Sequence, residues 1–303
     1  MSAFSRSLVA VADSVPVRRL VMGTRAGRAL AHRFVAGETL DEAIDVARHL
    51  NRQGLVVSLD LLGEEVTEPG SVEAAISGYE ECLTRMAAEG IAGNISIKLT
   101  QLGLAFNQQL TGAGLDRLAT AAGELGLSVT IDMEDSGYTD ATVELYEAAQ
   151  RRHGNLGLAL QAYLHRTPAD LERLANWGGH IRLCKGAYVE PPDVALQGKH
   201  EVDAAFARLL EFLMADEGVM PAVATHDDRL IDLARSRAQR RTEPFEFQML
   251  YGVRPRIQRE LAATGHQVRI YIPYGIAWYP YLVRRLAERP ANVGFFLRAL
   301  ISR

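Results

Sequence analysis

Near the C-terminal end of the chain stands WYPYLVRRLAERPAN, residues 278–292. Tyr281, Arg284, Arg285 and Glu288 recur at i, i+3, i+4 and i+7, which places them on one face of a helix. Leu282, Val283 and Leu286 give that helix an opposite side able to seat on a core. Paired arginines suit a carboxylate, because a guanidinium grips it through two parallel hydrogen bonds. Glu288 brings the opposite sign, suited to an ammonium or iminium. With Lys98 as a third cation the set fits an amino-acid zwitterion. Taken alone, such a stripe is more often a solvated helix face, so its meaning depends on the elements that deliver it.

Those elements form a pattern. Short β-type runs alternate with helical segments: LVVSLD (55–60), ISIKL (95–99), SVTIDM (128–133), LALQAYL (158–164), HIRLCK (180–185), AVATHD (222–227), FEFQML (245–250) and VRIYIPYG (268–275). Strand followed by helix, eight times over, predicts an α/β fold whose parallel sheet closes into a (β/α)8 TIM-type barrel. One catalytic domain is expected over residues 46–303, with residues 1–45 as an N-terminal helical segment packing on it.

Side chains of a strand alternate between faces. Ile95, Ile97 and Leu99 oppose Ser96 and Lys98; Val129, Ile131 and Met133 oppose Thr130 and Asp132; Val268, Ile270 and Ile272 oppose Arg269 and Tyr271. The apolar face must meet the outer helices, since apolar burial holds the two layers together. The polar face then points inward, bringing Asp60, Lys98, Asp132, Gln161, Arg182, His226, Glu246, Gln248 and Tyr271 into the barrel, mostly at late strand ends. Barrels are ordinarily filled with branched apolar residues, and their sites lie at the late strand ends. Buried charges cost several kcal/mol each unless paired or bound. So many on so many strands predict a wide polar ligand, and the helix after the eighth strand starts at the same mouth. Asp60 is expected to be a network charge, and Glu246 and Gln248 to order the mouth. Cys184 is expected to be an inert filler, and Tyr274, Trp278 and Tyr279 either to cover the site or to pack beneath the last helix.

Bulk properties exclude several classes. The 303 residues are 48% hydrophobic and 23% charged with net charge −4, so no overall basic field exists to grip nucleic acid. No apolar run nears the roughly 20 residues that span a bilayer. Cys82 and Cys184 match no metal spacing and are too few for a disulfide framework, which favours a reducing cytoplasm. The first 37 residues hold six arginines against Asp13 alone. Three readings stay open there: a plain helical cap on the domain, a transit peptide, or a basic helix touching anionic lipid at the inner membrane.

RFVAGETLDEAI, SIKLTQLG, IDMEDS, LQAYLHRT, IRLCKGAY, ATHD, FEFQMLYGV, RIYIPYG and WYPYLVRRLAERPAN stand in order between residues 33 and 292, within a match that runs from about Arg33 to Ile301. Together they resemble proline dehydrogenase in its short bacterial, monofunctional form. The resemblance implies FAD-dependent oxidation of L-proline to Δ1-pyrroline-5-carboxylate, by hydride transfer from proline C5 to flavin N5, with electrons passed to a membrane quinone. It implies Arg182 by the flavin N5 edge and Gln161 bonding the flavin ring. Met133, Lys185, Gly186 and Ala187 would lie along the cofactor, with Thr225 and His226 at its adenine end. Lys98, Arg284 and Arg285 would clamp the carboxylate, with Tyr271, Tyr281 and Leu250 walling the ring. Glu288 would pair with Lys98 or Arg284, and Asp132 would hold the site's tyrosine and lysine. The base that takes the amine proton is not named by it. Val189 departs from the tryptophan that larger bifunctional relatives often carry. With no aldehyde dehydrogenase module following, the next oxidation is expected from a separate pyrroline-5-carboxylate dehydrogenase. Two other readings remain: a lyase or aldolase using Lys98 or Lys185 as a Schiff base, and a barrel that binds proline without catalysis.

Overall fold

The structure is a computed structural model, and it describes residue 24 and residues 31–63, 66–216 and 218–288; the side chains of Arg284 and of residues 286–288 are outside that description. Helix α1 (Leu40–Asn51) leads into the first strand, and each later helix follows its strand. The pairs are β1 (Val56–Leu61) with α2 (Pro69–Ala88), β2 (Gly93–Ile97) with α3 (Gln108–Glu124), and β3 (Val129–Ile131) with α4 (Thr139–His153). They continue as β4 (Leu156–Gln161) with α5 (Thr167–Ala175), β5 (His180–Cys184) with α6 (Lys199–Ala215), and β6 (Met220–Ala224) with α7 (Asp228–Ala238). The last are β7 (Glu246–Leu250) with α8 (Pro255–Ala263) and β8 (Gln267–Tyr274) with α9 (Trp278–Glu288). The strands pair in sequence order, all parallel, and β8 returns to β1 with Val57 opposite Ile270, closing an eight-stranded barrel.

The two-residue period decides what each layer holds. Val57, Leu59, Ile95, Ile97, Val129, Ile131, Ile181, Leu183, Phe247 and Ile270 are fully buried among helix residues such as Ile44, Tyr79, Leu83, Leu115 and Phe206. The intervening residues carry polar atoms just as deeply: Ser58, Asp60, Asn94, Ser96, Thr130, Arg182, Glu246 and Gln248. Two strands stop earlier than their sequence pattern suggests. β2 ends at Ile97 and β3 at Ile131, so Lys98 and Asp132 stand one residue beyond the sheet, on the mouth.

A second apolar cluster lies over the C-terminal side. Ala31, Phe34 and Val35 pack with Leu62, Trp278, Tyr279, Tyr281, Leu282 and Val283. Trp278 Nε1 donates to Glu38 Oε1 at 2.9 Å, and the Ala36 N–H donates to the Pro273 carbonyl at 2.9 Å. Trp278 and Tyr279 therefore anchor α9 to the chain that enters α1, and Tyr274 joins the main core. Gly252, at φ +72°, passes so close to the Arg33 carbonyl that a Cβ would fall 1.7 Å from its oxygen. Most of the arginine-rich stretch, residues 1–23 and 25–30, lies outside the described residues, and the expected boundary near residue 45 falls inside α1. No helix among the described residues is long and apolar enough to cross a membrane.

Candidate active site

Lys98 and Asp132, each one residue past the ends of β2 and β3, meet Arg182 of β5 and Tyr271 of β8 in one hydrogen-bonded group. Asp132 Oδ1 accepts from Ser96 Oγ at 2.7 Å and from Arg182 Nη1 at 2.5 Å. Its Oδ2 accepts from the Tyr271 hydroxyl at 2.6 Å and from Lys98 Nζ at 3.2 Å. Lys98 Nζ also donates to Asp60 Oδ1 at 2.8 Å and to the Tyr271 oxygen at 3.3 Å. Arg182 adds a donation from Nε to Gln248 Oε1 at 2.5 Å, and its guanidinium carbon lies 5.3 Å from the centre of the Tyr271 ring. Two carboxylates and two cations thus compensate one another inside the barrel.

The electrostatics follow from that pairing. Burial pushes the Asp132 carboxyl up, but Lys98 and Arg182 outweigh it and bring it down to about 2. Asp60 goes the other way: its burial outweighs the pull of Lys98 and raises it. Burial alone would lower Lys98, yet Asp60 and Asp132 together raise it, so its ammonium stays charged. Tyr271 is pushed up by burial and by Asp132, and remains a phenol that donates. A lysine that forms Schiff bases must offer a neutral amine. Lys98 is held as a cation, and Lys185 likewise: burial opposes its charge, but hydrogen bonds to Asp203 and Asp227 outweigh it. The pairing argues against the aldolase reading at both positions.

The rim residues are placed as follows. Gln161 closes β4; its Nε2 donates to the Glu134 carbonyl at 2.8 Å and its Oε1 accepts from the Ala187 N–H at 3.1 Å. That leaves one amide N–H for another partner. Lys185 Nζ donates to Asp203 at 2.5 Å and to Asp227 at 2.9 Å. Gly186, at φ +125°, has a reason for its type within the protein, because a Cβ there would come 2.3 Å from the Tyr163 ring. Thr225 Oγ1 accepts from the Asp227 N–H at 3.1 Å. His226 Nε2 accepts from the Leu250 N–H at 3.1 Å, which leaves the ring proton on Nδ1. Met133 is buried beside Asp132, and Leu250 ends β7 half-buried. On α9, Arg285 lies with its guanidinium carbon 5.2 Å from the Tyr281 ring centre, one turn along the same face. The side chains of Arg284 and Glu288 lie outside the described residues.

One expectation is corrected. Glu246 does not order the mouth: it is the first residue of β7, level with His180 and Gln267 at the starts of β5 and β8, and so belongs to the barrel floor. Two groups that the sequence reading leaves out also belong here. Ser96 bridges Asp132 and Arg182, donating to the first and accepting from the second at 3.0 Å. Glu134 is buried and accepts from the Thr100 N–H at 3.1 Å and hydroxyl at 2.5 Å, tying the turn after β2 to the end of β3.

A parallel barrel whose mouth carries compensated buried charges is built like a barrel enzyme. The family model described as Proline dehydrogenase matches residues 43–298. Proline dehydrogenase 1 of Bacillus subtilis (strain 168) is 36% identical over 284 residues, which is 93% of this chain and 93% of that protein. Proline dehydrogenase of Deinococcus radiodurans is 38% identical over 284 residues, 90% of each. Among solved structures, proline utilization A from Bdellovibrio bacteriovorus, inactivated by N-propargylglycine, superposes with a TM-score of 0.81 at 24% identity. That match covers 86% of this chain and 33% of the other, and it is a likeness of fold. The chain belongs to the proline dehydrogenase family.

Proposed function

We propose that the chain oxidises L-proline to Δ1-pyrroline-5-carboxylate with FAD as cofactor and a quinone as electron acceptor, the first step of proline breakdown. The observation that carries this is the shared chamber of Lys98, Asp132, Arg182 and Tyr271 at the mouth of a barrel from this family.

The residues present suit a flavin. Arg182 Nη2 is buried and has no hydrogen-bond partner among the described residues. A buried guanidinium N–H calls for an acceptor, and a flavin ring offers several. Gln161, at the end of β4, keeps a spare amide N–H, with Met133, Lys185, Gly186, Ala187, Thr225 and His226 along the same rim. When bound, FAD supplies a two-electron acceptor for the hydride on the carbon next to the proline nitrogen. The chain's own part is placement and charge. Lys98, Arg284 and Arg285 hold the substrate carboxylate. Tyr271, Tyr281 and Leu250 bound the ring. Asp132 keeps Lys98, Tyr271 and Arg182 in fixed relation, so no reorganisation is needed once proline enters. Glu288 balances the arginines of α9. Electron delivery to a quinone implies contact with a membrane surface, and the labile product implies hand-over to a separate pyrroline-5-carboxylate dehydrogenase.

The test is to purify the protein with FAD, exclude oxygen and add L-proline. The yellow absorption of oxidised flavin should bleach in proportion to proline. A preparation that takes up no FAD, or whose colour is indifferent to proline, refutes the proposal.

A further inference from the structure

Beneath the site runs a second group of contacts that reaches the opposite end of the barrel. Glu246 is fully buried. Its Oε1 accepts from Gln248 Nε2 at 2.6 Å and from Arg269 Nε at 2.7 Å, and lies 2.9 Å from His180 Nε2. Its Oε2 accepts from Gln267 Nε2 at 2.6 Å. Burial pushes the carboxyl up, but Arg269 and His180 outweigh it and hold it well below the usual carboxylate range. Glu246 is therefore ionised, and an ionised carboxylate can only accept.

Gln248 follows two residues later on the same inward face. A side-chain amide has one donating end and one accepting end. With Nε2 drawn to Glu246, the other end must be the oxygen, and Gln248 Oε1 is the atom that accepts from Arg182 Nε at 2.5 Å. Were the amide reversed, its NH2 would face the guanidinium and its oxygen would face a carboxylate, unfavourable at both ends. The remaining donors of Arg182 are held separately: Nη1 goes to Asp132 and Ser96, leaving Nη2 as the donor without a partner among the described residues. Gln248 Oε1 thus helps fix the guanidinium in the orientation that presents Nη2 to a ligand.

We propose that Glu246, on the barrel floor, is a positioning residue for Arg182, acting by locking the amide of Gln248. The inference rests on the reading of Arg182 as a flavin neighbour. It predicts that two residues with no contact with proline govern the rate and the flavin environment as one unit.

A double-mutant cycle tests it. Glu246→Gln and Gln248→Met should each lower kcat by about tenfold, the scale of one hydrogen bond to a charged group. Each should move the visible band of bound flavin in the same direction, with the proline KM much less affected. The double variant should be no worse than the poorer single, because both act through one contact. Glu246→Gln also strands Arg269 and His180, so Glu246→Gln combined with Arg269→Gln restores charge balance. That pair should fold normally and keep the kcat loss. Wild-type kcat and band position in Gln248→Met, multiplying effects in the double, or recovery of kcat on adding Arg269→Gln would each overturn the inference. A wild-type protein that fails to oxidise proline sinks the proposed function and takes this inference with it; an active wild type with unmoved variants sinks the inference alone.

Discussion

Tyr271 donates its hydroxyl to Asp132 Oδ2 across 2.6 Å, joining the last strand of the barrel to the end of the third. Burial and the nearby Asp132 charge both keep the phenol protonated. Tyr271→Phe removes the donor and keeps the ring. Proline turnover, kcat/KM, should fall about tenfold while stability drops by about 1 kcal/mol, the worth of one buried hydrogen bond. Steady-state kinetics beside a urea melt checks both numbers, and unchanged kinetics would mean that this bond is purely architectural.

Asp132 makes the site sensitive to acid. Its carboxyl sits at about 2 in the folded protein against an ordinary value near 3.8. The folded value is the lower one, so the stabilisation is present above the unfolded value and is lost as pH falls from about 4 to about 2. Asp132→Asn removes that contribution, so the gap in melting temperature between wild type and variant should be wide at pH 6 and should shrink at pH 2.5. A gap that stays constant over that interval contradicts the pairing.

Lys98 pairs with both Asp60 and Asp132, and Arg182 supplies the second positive charge. Lys98→Met leaves the buried Asp60 without its cation, and breaking a buried pair from one side costs about 3–5 kcal/mol. Adding Asp60→Asn removes the stranded acid and should restore most of the stability without restoring proline turnover. Thermal melts of the single and double variants, read beside their kinetics, separate the two roles. Restored activity in the double variant would show that Lys98 matters only as a counter-ion.

Gly186 has no room for a side chain. Gly186→Ala would place a methyl group against the Tyr163 ring and force a left-handed backbone on alanine. Expected is a loss of about 1–3 kcal/mol together with weaker FAD retention on gel filtration. Full retention at wild-type stability would mean that the loop after β5 relaxes at no cost to the rim.

The barrel itself was legible because alternation of apolar and polar residues names the two faces of each strand, and eight such runs leave little choice of closure. The polar interior was legible for the same reason. Height along the barrel was not. Alternation says that Glu246 points inward, but its level depends on the pairing of β7, where Glu246 lies opposite Gln267 rather than opposite the site tyrosine. Strand ends drifted in the same way: Lys98 and Asp132 stand past the sheet because backbone pairing stops at Ile97 and Ile131. Ser96 and Glu134 escaped notice for another reason. Each becomes meaningful only through partners far away in the sequence, Arg182 for Ser96 and Thr100 for Glu134. No local pattern carries that information.

The central claim is that this charged hollow and the arginines of α9 form one proline site. The dependence of initial rate on L-proline concentration, measured on FAD-loaded Arg284→Met and Arg285→Met beside wild type, tests it most directly. The account predicts a proline KM raised at least about tenfold in each variant, the loss of a bidentate grip on a carboxylate, with bound flavin unchanged. Wild-type KM in both variants would contradict it.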